Sequence, residues 1–107
     1  MELLSRIEEY LLLAVVDLRD NAYGVTLREN LSETVGKNLS LALIYVSLDR
    51  LVGHGLLEAT LSAPEPVRGG RAKRIYKVTA AGLHVLSEHY ELQQRVWKNA
   101  PALLGLS

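Results

Sequence analysis

The chain lacks cysteine altogether, and its apolar runs are short. With no cysteine among 107 residues, disulfide bonds and thiolate metal sites are excluded, and the composition fits a reducing compartment. The longest apolar run near the start, Leu11 to Val16, has acidic residues on both sides and is far shorter than the about 20 residues of a membrane-spanning helix. We therefore expect a cytoplasmic protein with no membrane segment and no signal peptide.

Recognisable catalytic motifs are also missing. The sequence has no evident nucleophile–base pair, phosphate-cradling glycine motif or pair of acids. His84 and Glu88 stand four residues apart and could share a metal ion with Glu91 or His89, although two such ligands on a helix are more typical of solvated side chains. We predict that the protein is not an enzyme and has no metal site and no cofactor.

Acidic side chains are absent from residues 66–87, which carry five basic ones and thus a charge of +5. Residues 1–65 carry ten acids and five bases, so the net charge of zero for the whole chain conceals an asymmetry. Because the positive charge is concentrated in one short segment, we expect a polyanionic partner that is contacted at a few phosphates per chain.

The spacing of apolar residues predicts two helices in the first third of the chain. One covers about residues 3–19. The other begins near Tyr23 with Asn21 as its cap, and it stops at Gly36. The residues expected to face inward are Leu4, Ile7, Leu11, Val15 and Leu18 in the first helix, and Val25, Leu27, Leu31 and Val35 in the second.

A third helix is predicted to begin after Ser40, which can act as its N-cap, and to end at the glycines around His54. Its inward stripe is Ile44, Leu48, Leu51 and Val52. The pattern then predicts, in order, a strand over 56–61, a loop over 62–71, an antiparallel strand over 73–78, and a last helix capped by Thr79 that runs over about 80–99 and ends at Pro101.

This order of elements is typical of a winged helix-turn-helix. We predict a mainly α (α+β) fold in a single domain over residues 1–107, with the helix-turn-helix and a two-stranded β-wing over about 3–78 and a dimerisation helix over about 79–100. The usual partner of such a module is double-stranded DNA, whose major groove receives the third helix.

The outer face of the third helix is the first part of the predicted DNA-binding site. Its residues are Ser40, Ala42, Leu43, Tyr45, Val46, Ser47 and Arg50. The Tyr45 hydroxyl suits a phosphate contact, whereas Leu43 and Val46 can touch a thymine methyl but donate no hydrogen bond. Asp49 on the same face repels phosphate. A helix packed against another protein is the alternative explanation of this apolar face.

The loop and the strand after it form the second part of the predicted site. Four basic residues fall within the seven residues from Arg68 to Arg74, around a glycine pair that lets the backbone approach another surface closely. The wing residues predicted to contact DNA are Arg68, Gly69, Gly70, Arg71, Lys73 and Arg74. A merely solvated basic loop is the alternative interpretation.

The last helix carries two apolar seams. The first, expected to form the interface of a homodimer, is Leu83, Leu86, Tyr90, Gln93 and Trp97. The second, available for the first helix of the same chain, is Val85, His89, Leu92 and Val96. Trp97 suits an interface anchor, or alternatively a flat wall for a small aromatic effector bound between the two copies.

Several of these motifs together resemble the PadR family of bacterial transcriptional regulators. The matching residues are Tyr23-Gly24, Leu39-Ser40, Ile44-Tyr45, Leu48, Leu51, Gly55-Leu56-Leu57, Gly69-Gly70-Arg71, Tyr76-Lys77-Val78-Thr79 and Gly82. The resemblance covers about residues 10–90. The sequence departs from the family pattern on the outer face of the third helix, at Leu41-Ala42, Leu43, Val46 and Asp49.

The resemblance implies a homodimeric winged-helix repressor whose last helix dimerises and whose DNA affinity changes when a small effector binds. We therefore expect a sequence-specific, DNA-binding transcriptional regulator. A winged-helix module that binds another protein, without specific DNA binding, is the alternative function.

Overall fold

The computed structural model describes residues 3–62 and 72–106. Its elements, in chain order, are α1 (Arg6–Leu18), a 3₁₀ turn (Arg19–Asn21), α2 (Gly24–Val35), α3 (Leu41–Gly53), β1 (Leu57–Leu61), β2 (Arg74–Val78), α4 (Ala80–Val96) and α5 (Ala100–Leu103). The predicted order of helices and strands is confirmed, and so is the fold class, a helical protein with a two-stranded antiparallel wing.

A capping box begins α1. The backbone N–H of Glu8 donates to Ser5 Oγ at 3.2 Å, and the Ser5 N–H donates to Glu8 Oε1 at 3.0 Å. Burial alone raises the pKa of Glu8, which is 7% exposed, but the Ser5 hydrogen bonds and nearby basic side chains bring that pKa below its ordinary value. The buried carboxylate is therefore stabilised in its charged form.

The start of α2 differs from the prediction. Asn21 lies in the 3₁₀ turn, and Tyr23 is the N-cap. The Tyr23 N–H donates to Thr26 Oγ1 at 3.1 Å, so a threonine inside the first turn pairs with the backbone of the N-cap residue. The end of α2 is as predicted, because Gly36 closes it with a φ of +78°.

The inward face of α2 is also narrower than predicted. Leu27 and Leu31 are buried, but Val25 and Val35 are 40% and 38% exposed. At 100° per residue, Val25 lies almost opposite Leu27, whereas Val35 lies on the side of Leu31 but is the last residue of the helix. Only the two leucines therefore pack into the core.

One apolar core lies between the first three helices and the sheet. Its buried members are Leu11, Leu12, Ala14, Val15, Ala22, Leu27, Leu31, Ile44, Leu48, Leu51, Leu56, Leu57 and Tyr76. The strands pair antiparallel from Leu57 opposite Val78 to Leu61 opposite Arg74. The Tyr76 N–H donates to the Ala22 carbonyl at 2.9 Å, so β2 is fastened on its other side to the segment before α2.

Helix α4 is attached to the turn between α3 and β1. Thr79 accepts the Gly82 N–H at 3.0 Å and donates its own hydroxyl hydrogen to the Gly55 carbonyl at 2.7 Å. A Cβ at Gly82 would collide with the Leu56 carbonyl and come within 2.6 Å of Val78 Cγ1, so glycine permits this close approach.

The last helix ends earlier than predicted. Helix α4 stops at Val96, short of Asn99, and Pro101 lies in the first turn of α5. A proline is compatible with that position because the first N–H groups of a helix have no partner within the helix. Pro101 therefore helps to begin a short helix and does not itself end α4.

Candidate nucleic-acid interface

Helix α3 has one face in the core and one face in solvent. Ser40 caps the helix by accepting the Leu43 N–H at 3.1 Å. Ile44, Leu48 and Leu51 are fully buried. Ser47, predicted to lie on the outer face, is only 5% exposed, because it falls between Ile44 and Leu51 on the same helical stripe. The predicted exposure of Ser47 is wrong, and its side chain is not available to DNA.

The other predicted side chains of α3 are on the solvent face. Val46 is 59% exposed, Tyr45 is 42% exposed and Leu43 is 40% exposed. Ala42 and Arg50 are exposed as well. The outer face is therefore largely apolar, as the sequence indicates, and whether these residues contact DNA stays a prediction.

Tyr45 lies across the beginning of α2. A Cβ added to Gly24 would collide with the Tyr45 hydroxyl and would lie 2.8 Å from its Cε1 atom. The glycine of the Tyr23-Gly24 pair therefore leaves room for the Tyr45 ring. This contact places α3 and the start of α2 side by side on one surface.

The basic residues at the start of the second strand point toward these helices. Lys73 Nζ donates to the Tyr23 hydroxyl at 3.4 Å and lies 4.4 Å from the centre of the Tyr23 ring. Arg74 Nη1 is 3.8 Å from Asp49 Oδ1, with both side chains at least half exposed. Arg74 therefore borders the outer face of α3 and partly offsets the charge of Asp49, while Lys73 lies beside the start of α2.

The tip of the wing cannot be placed on this surface. Arg68, Gly69, Gly70 and Arg71 lie outside the described residues 3–62 and 72–106. Their predicted contacts with DNA remain predictions, and the geometry of the site rests on Lys73, Arg74 and α3.

Tyr76 on β2 has its side chain in the apolar core. Its side chain is fully buried, and the Arg74 guanidinium lies 5.6 Å from its ring centre. Burial raises the pKa of the Tyr76 phenol. Among the described residues, its hydroxyl has no hydrogen-bond partner. Tyr76 therefore supports this surface from beneath and is not exposed on it.

Helix α4 carries an exposed apolar surface. Tyr90 is 68% exposed, Leu83 53% and Trp97 41%, whereas Leu86 and Gln93 are half-buried. Val96, which was expected on the seam toward α1, is 68% exposed, so that expectation is wrong at this residue. Residues 6–18 of α1 do not cover the far end of α4.

Buried polar contacts hold the middle of α4 against α1. His89 is 4% exposed. Its Nδ1 atom lies 3.4 Å from Glu9 Oε2, and its Nε2 atom accepts the Leu4 N–H at 3.4 Å. The sequence pattern placed His89 on an inner seam but gave no signal for these partners. The histidine fixes where α4 crosses the first helix.

The second histidine–acid pair of α4 lies at the surface. His84 Nε2 lies 3.1 Å from Glu88 Oε1 on the exposed side of α4. No group of three or more His, Cys, Asp or Glu side chains in the described part of the chain could hold a metal ion. Nor does any helix there have the length and apolar character to cross a membrane.

Three helices, a two-stranded wing and basic strand residues beside the third helix define the protein as a winged helix-turn-helix. The model of the transcriptional regulator PadR-like family matches residues 12–88, nearly three-quarters of the sequence. The chain belongs to this family of transcriptional regulators, as its motifs indicated. No curated protein sequence matches it.

Solved structures of related regulators have the same fold. The PadR-like transcriptional regulator of Bacillus cereus is 26% identical, with a TM-score of 0.75 over 92% of this chain and 90% of its own. A putative transcriptional regulator of Thermoplasma acidophilum is 27% identical, with a TM-score of 0.70 over 92% and 89%. A PadR family regulator of Eggerthella lenta is 25% identical, with a TM-score of 0.70 over 92% and 84%.

Proposed function

We propose that this PadR-like regulator binds specific double-stranded DNA as a homodimer and represses transcription in the cytoplasm. The observation that carries the proposal is the position of two cations: Arg74 lies beside Asp49 of α3, and Lys73 lies beside Tyr23 at the start of the adjacent α2. In a winged-helix complex, α3 enters the major groove and the neighbouring cations contact phosphates. The family assignment to transcriptional regulators supports the same function.

The exposed apolar surface of α4 supports the homodimer. Leu83 and Tyr90 on α4 and Trp97 at its C-terminal cap are each 41–68% exposed. A second copy related by two-fold symmetry would bury them, since such an interface uses the same patch on both subunits. The two α3 helices would then address half-sites about 34–36 Å apart, one turn of DNA.

Trp97 is the proposed contact for a small aromatic effector. Its ring is partly exposed on the proposed interface, where it offers a flat apolar wall next to the second copy. It is the only tryptophan in the chain, so its fluorescence reports this position alone. Planar aromatic compounds that bind there are expected to quench or shift the emission, and no response across a broad panel would leave Trp97 as an interface anchor.

The salt dependence of DNA binding tests the proposed function. A dimer that neutralises roughly six to eight phosphates should lose affinity with a slope of log affinity against log salt of about −5 to −7. Fluorescence anisotropy with a labelled duplex over a range of salt concentrations measures this slope. Arg74→Ala is expected to weaken binding to all sequences and to reduce the slope by about 1 for each subunit.

A matched control keeps the interpretation specific. Lys98→Ala removes an equal charge from an exposed position after α4 and is expected to leave the slope almost unchanged. A slope near zero for the unmodified protein contradicts DNA binding. Binding to a cellular protein that survives high salt and is lost on Leu43→Asp would instead support the alternative, a protein-interaction module built on the exposed face of α3.

A further inference from the structure

The first two turns of the outer face of α3 are apolar between Ala42 and Val46, and the charged residues Asp49 and Arg50 follow in the next turn. Ala42, Val46 and Gly53 follow one another at four- and seven-residue steps and so line up along the helix. Val46 is the most exposed apolar side chain of α3, at 59%, and Leu43 stands beside it at 40%. The N-terminal half of the helix, which would enter a groove first, is therefore apolar on this face.

Among the four bases, thymine alone presents a methyl group in the major groove, and the other edges present hydrogen-bonding groups. A valine or leucine packed on a guanine, adenine or cytosine edge would remove water from polar atoms and return no hydrogen bond, which is unfavourable. The same side chain packed on a thymine methyl buries apolar surface on both partners. An apolar groove-facing surface thus selects thymine.

The surroundings of this apolar face favour DNA as its occupant. Arg74 on one side is half exposed, and Arg50 is exposed on the same helix. Lys73 lies near the start of α2. An apolar patch bordered by cations is complementary to a polyanion that carries methyl groups, whereas an apolar protein segment would gain nothing from the cations.

We propose that Leu43 and Val46 recognise thymine C5-methyl groups, so that the DNA half-site contains thymines at neighbouring base pairs opposite α3. The two side chains are one helical turn apart, about 5 Å, which matches one or two base-pair steps of about 3.4 Å. The small side chain of Ala42 allows α3 to approach the edges of the bases closely. This inference rests on the proposed function and adds the chemical basis of its sequence preference.

The test begins with sites selected from random DNA by the unmodified protein. These sites are expected to contain thymines at fixed positions in each half-site. Each such thymine is then replaced by deoxyuridine, which removes only the methyl group and keeps the base pair. A lost methyl contact is expected to weaken binding about fourfold at each position, measured as competition at constant salt.

Variants connect the effect to the two side chains. Val46→Ala and Leu43→Ala are expected to bind the thymine site more weakly and to lose most of the discrimination between thymine and uracil at the position each one contacts. Arg50→Ala serves as the matched control, because it weakens binding to both duplexes and keeps their ratio. All three residues are exposed, so circular dichroism should show the same folded helix content in each variant.

The outcomes separate this inference from the proposed function. Equal binding of thymine and uracil duplexes by the unmodified protein, with a steep salt dependence retained, overturns methyl recognition and leaves DNA binding in place. Selected sites without thymines at fixed positions would also overturn methyl recognition and leave DNA binding in place. If no salt-dependent binding to any duplex is found, both the inference and the proposed function are overturned.

Discussion

Residue Tyr76 is fully buried, and its hydroxyl has no hydrogen-bond partner among the described residues. Burial of an unpaired hydroxyl is unfavourable, because the group loses water and gains nothing in return. The ring nevertheless fills part of the apolar core, and Arg74 lies near its face. The aromatic ring of Tyr76 therefore stabilises the fold by packing, whereas its hydroxyl does not.

Tyr76→Phe is accordingly expected to raise the free energy of unfolding by about 1 kcal/mol. Urea denaturation followed by circular dichroism measures the change. Tyr76→Leu is the matched comparison, since it also removes the hydroxyl but leaves a cavity, and it should destabilise the protein. A clear loss of stability in Tyr76→Phe would show that the hydroxyl is paired in solution.

Contacts between residues far apart in the chain could not be predicted from the sequence. The Tyr23-Gly24 pair and Tyr45 were recognised as family motifs, but their contact with each other depends on how α2 and α3 pack. The partners of His89, Glu9 and the Leu4 N–H, are separated from it by 80 and 85 residues. Helical spacing carries no information about contacts at that separation.

At the scale of elements, the sequence predicted the helices and strands because their signals are local. Caps at Ser40 and Thr79 and the left-handed Gly36 each depend on neighbouring residues only. The wrong predictions concern the burial of side chains, which depends on how the helices pack against other elements. Ser47 and Val35 each lie at helical spacing from a buried leucine, yet Ser47 is buried and Val35 is 38% exposed, because burial depends on which part of the helix meets another element.

Thr79 is the cap with the largest expected effect. Its hydroxyl accepts the Gly82 N–H and donates to the Gly55 carbonyl, so Thr79→Ala removes two hydrogen bonds and should lower the free energy of unfolding by about 2 kcal/mol. Thermal or urea denaturation measures it. Ser40→Ala, which removes only the bond to the Leu43 N–H, is expected to cost about 1 kcal/mol.

Thr79→Ser distinguishes the hydroxyl from the methyl group. The serine keeps both hydrogen bonds and is expected to remain near the stability of the unmodified protein. Equal losses in Thr79→Ala and Thr79→Ser would instead assign the stabilisation to packing of the methyl group.

At the scale of the whole molecule, the chain is elongated, with extents of 57 × 28 × 21 Å. The far part of α4 contributes exposed apolar surface at Tyr90 and Val96, both 68% exposed. Such surface is uncommon on a monomer and is typical of an association site. The shape and the surface together support the proposed homodimer.

Charge placed on that surface should dissociate the proposed dimer. Tyr90→Glu combined with Val96→Glu is expected to give a monomer in size-exclusion chromatography with light scattering, because four like charges, two from each subunit, would be buried at a two-fold interface. Leu43→Glu adds a charge to the exposed face of α3 and should leave the dimer intact. A monomeric unmodified protein at micromolar concentration contradicts the proposal.

The ion pair between Arg74 and Asp49 gives the protein an internal counterion. In the free protein, Asp49 Oδ1 lies 3.8 Å from Arg74 Nη1 and partly neutralises the positive charge of the arginine. A phosphate that approaches this arginine competes with a group the protein already holds, so a polyanion of arbitrary sequence gains less than the number of basic residues suggests. If the protein binds DNA as proposed, this pairing is expected to lower its affinity for arbitrary sequences slightly and to leave a larger share of the discrimination to the bases opposite α3.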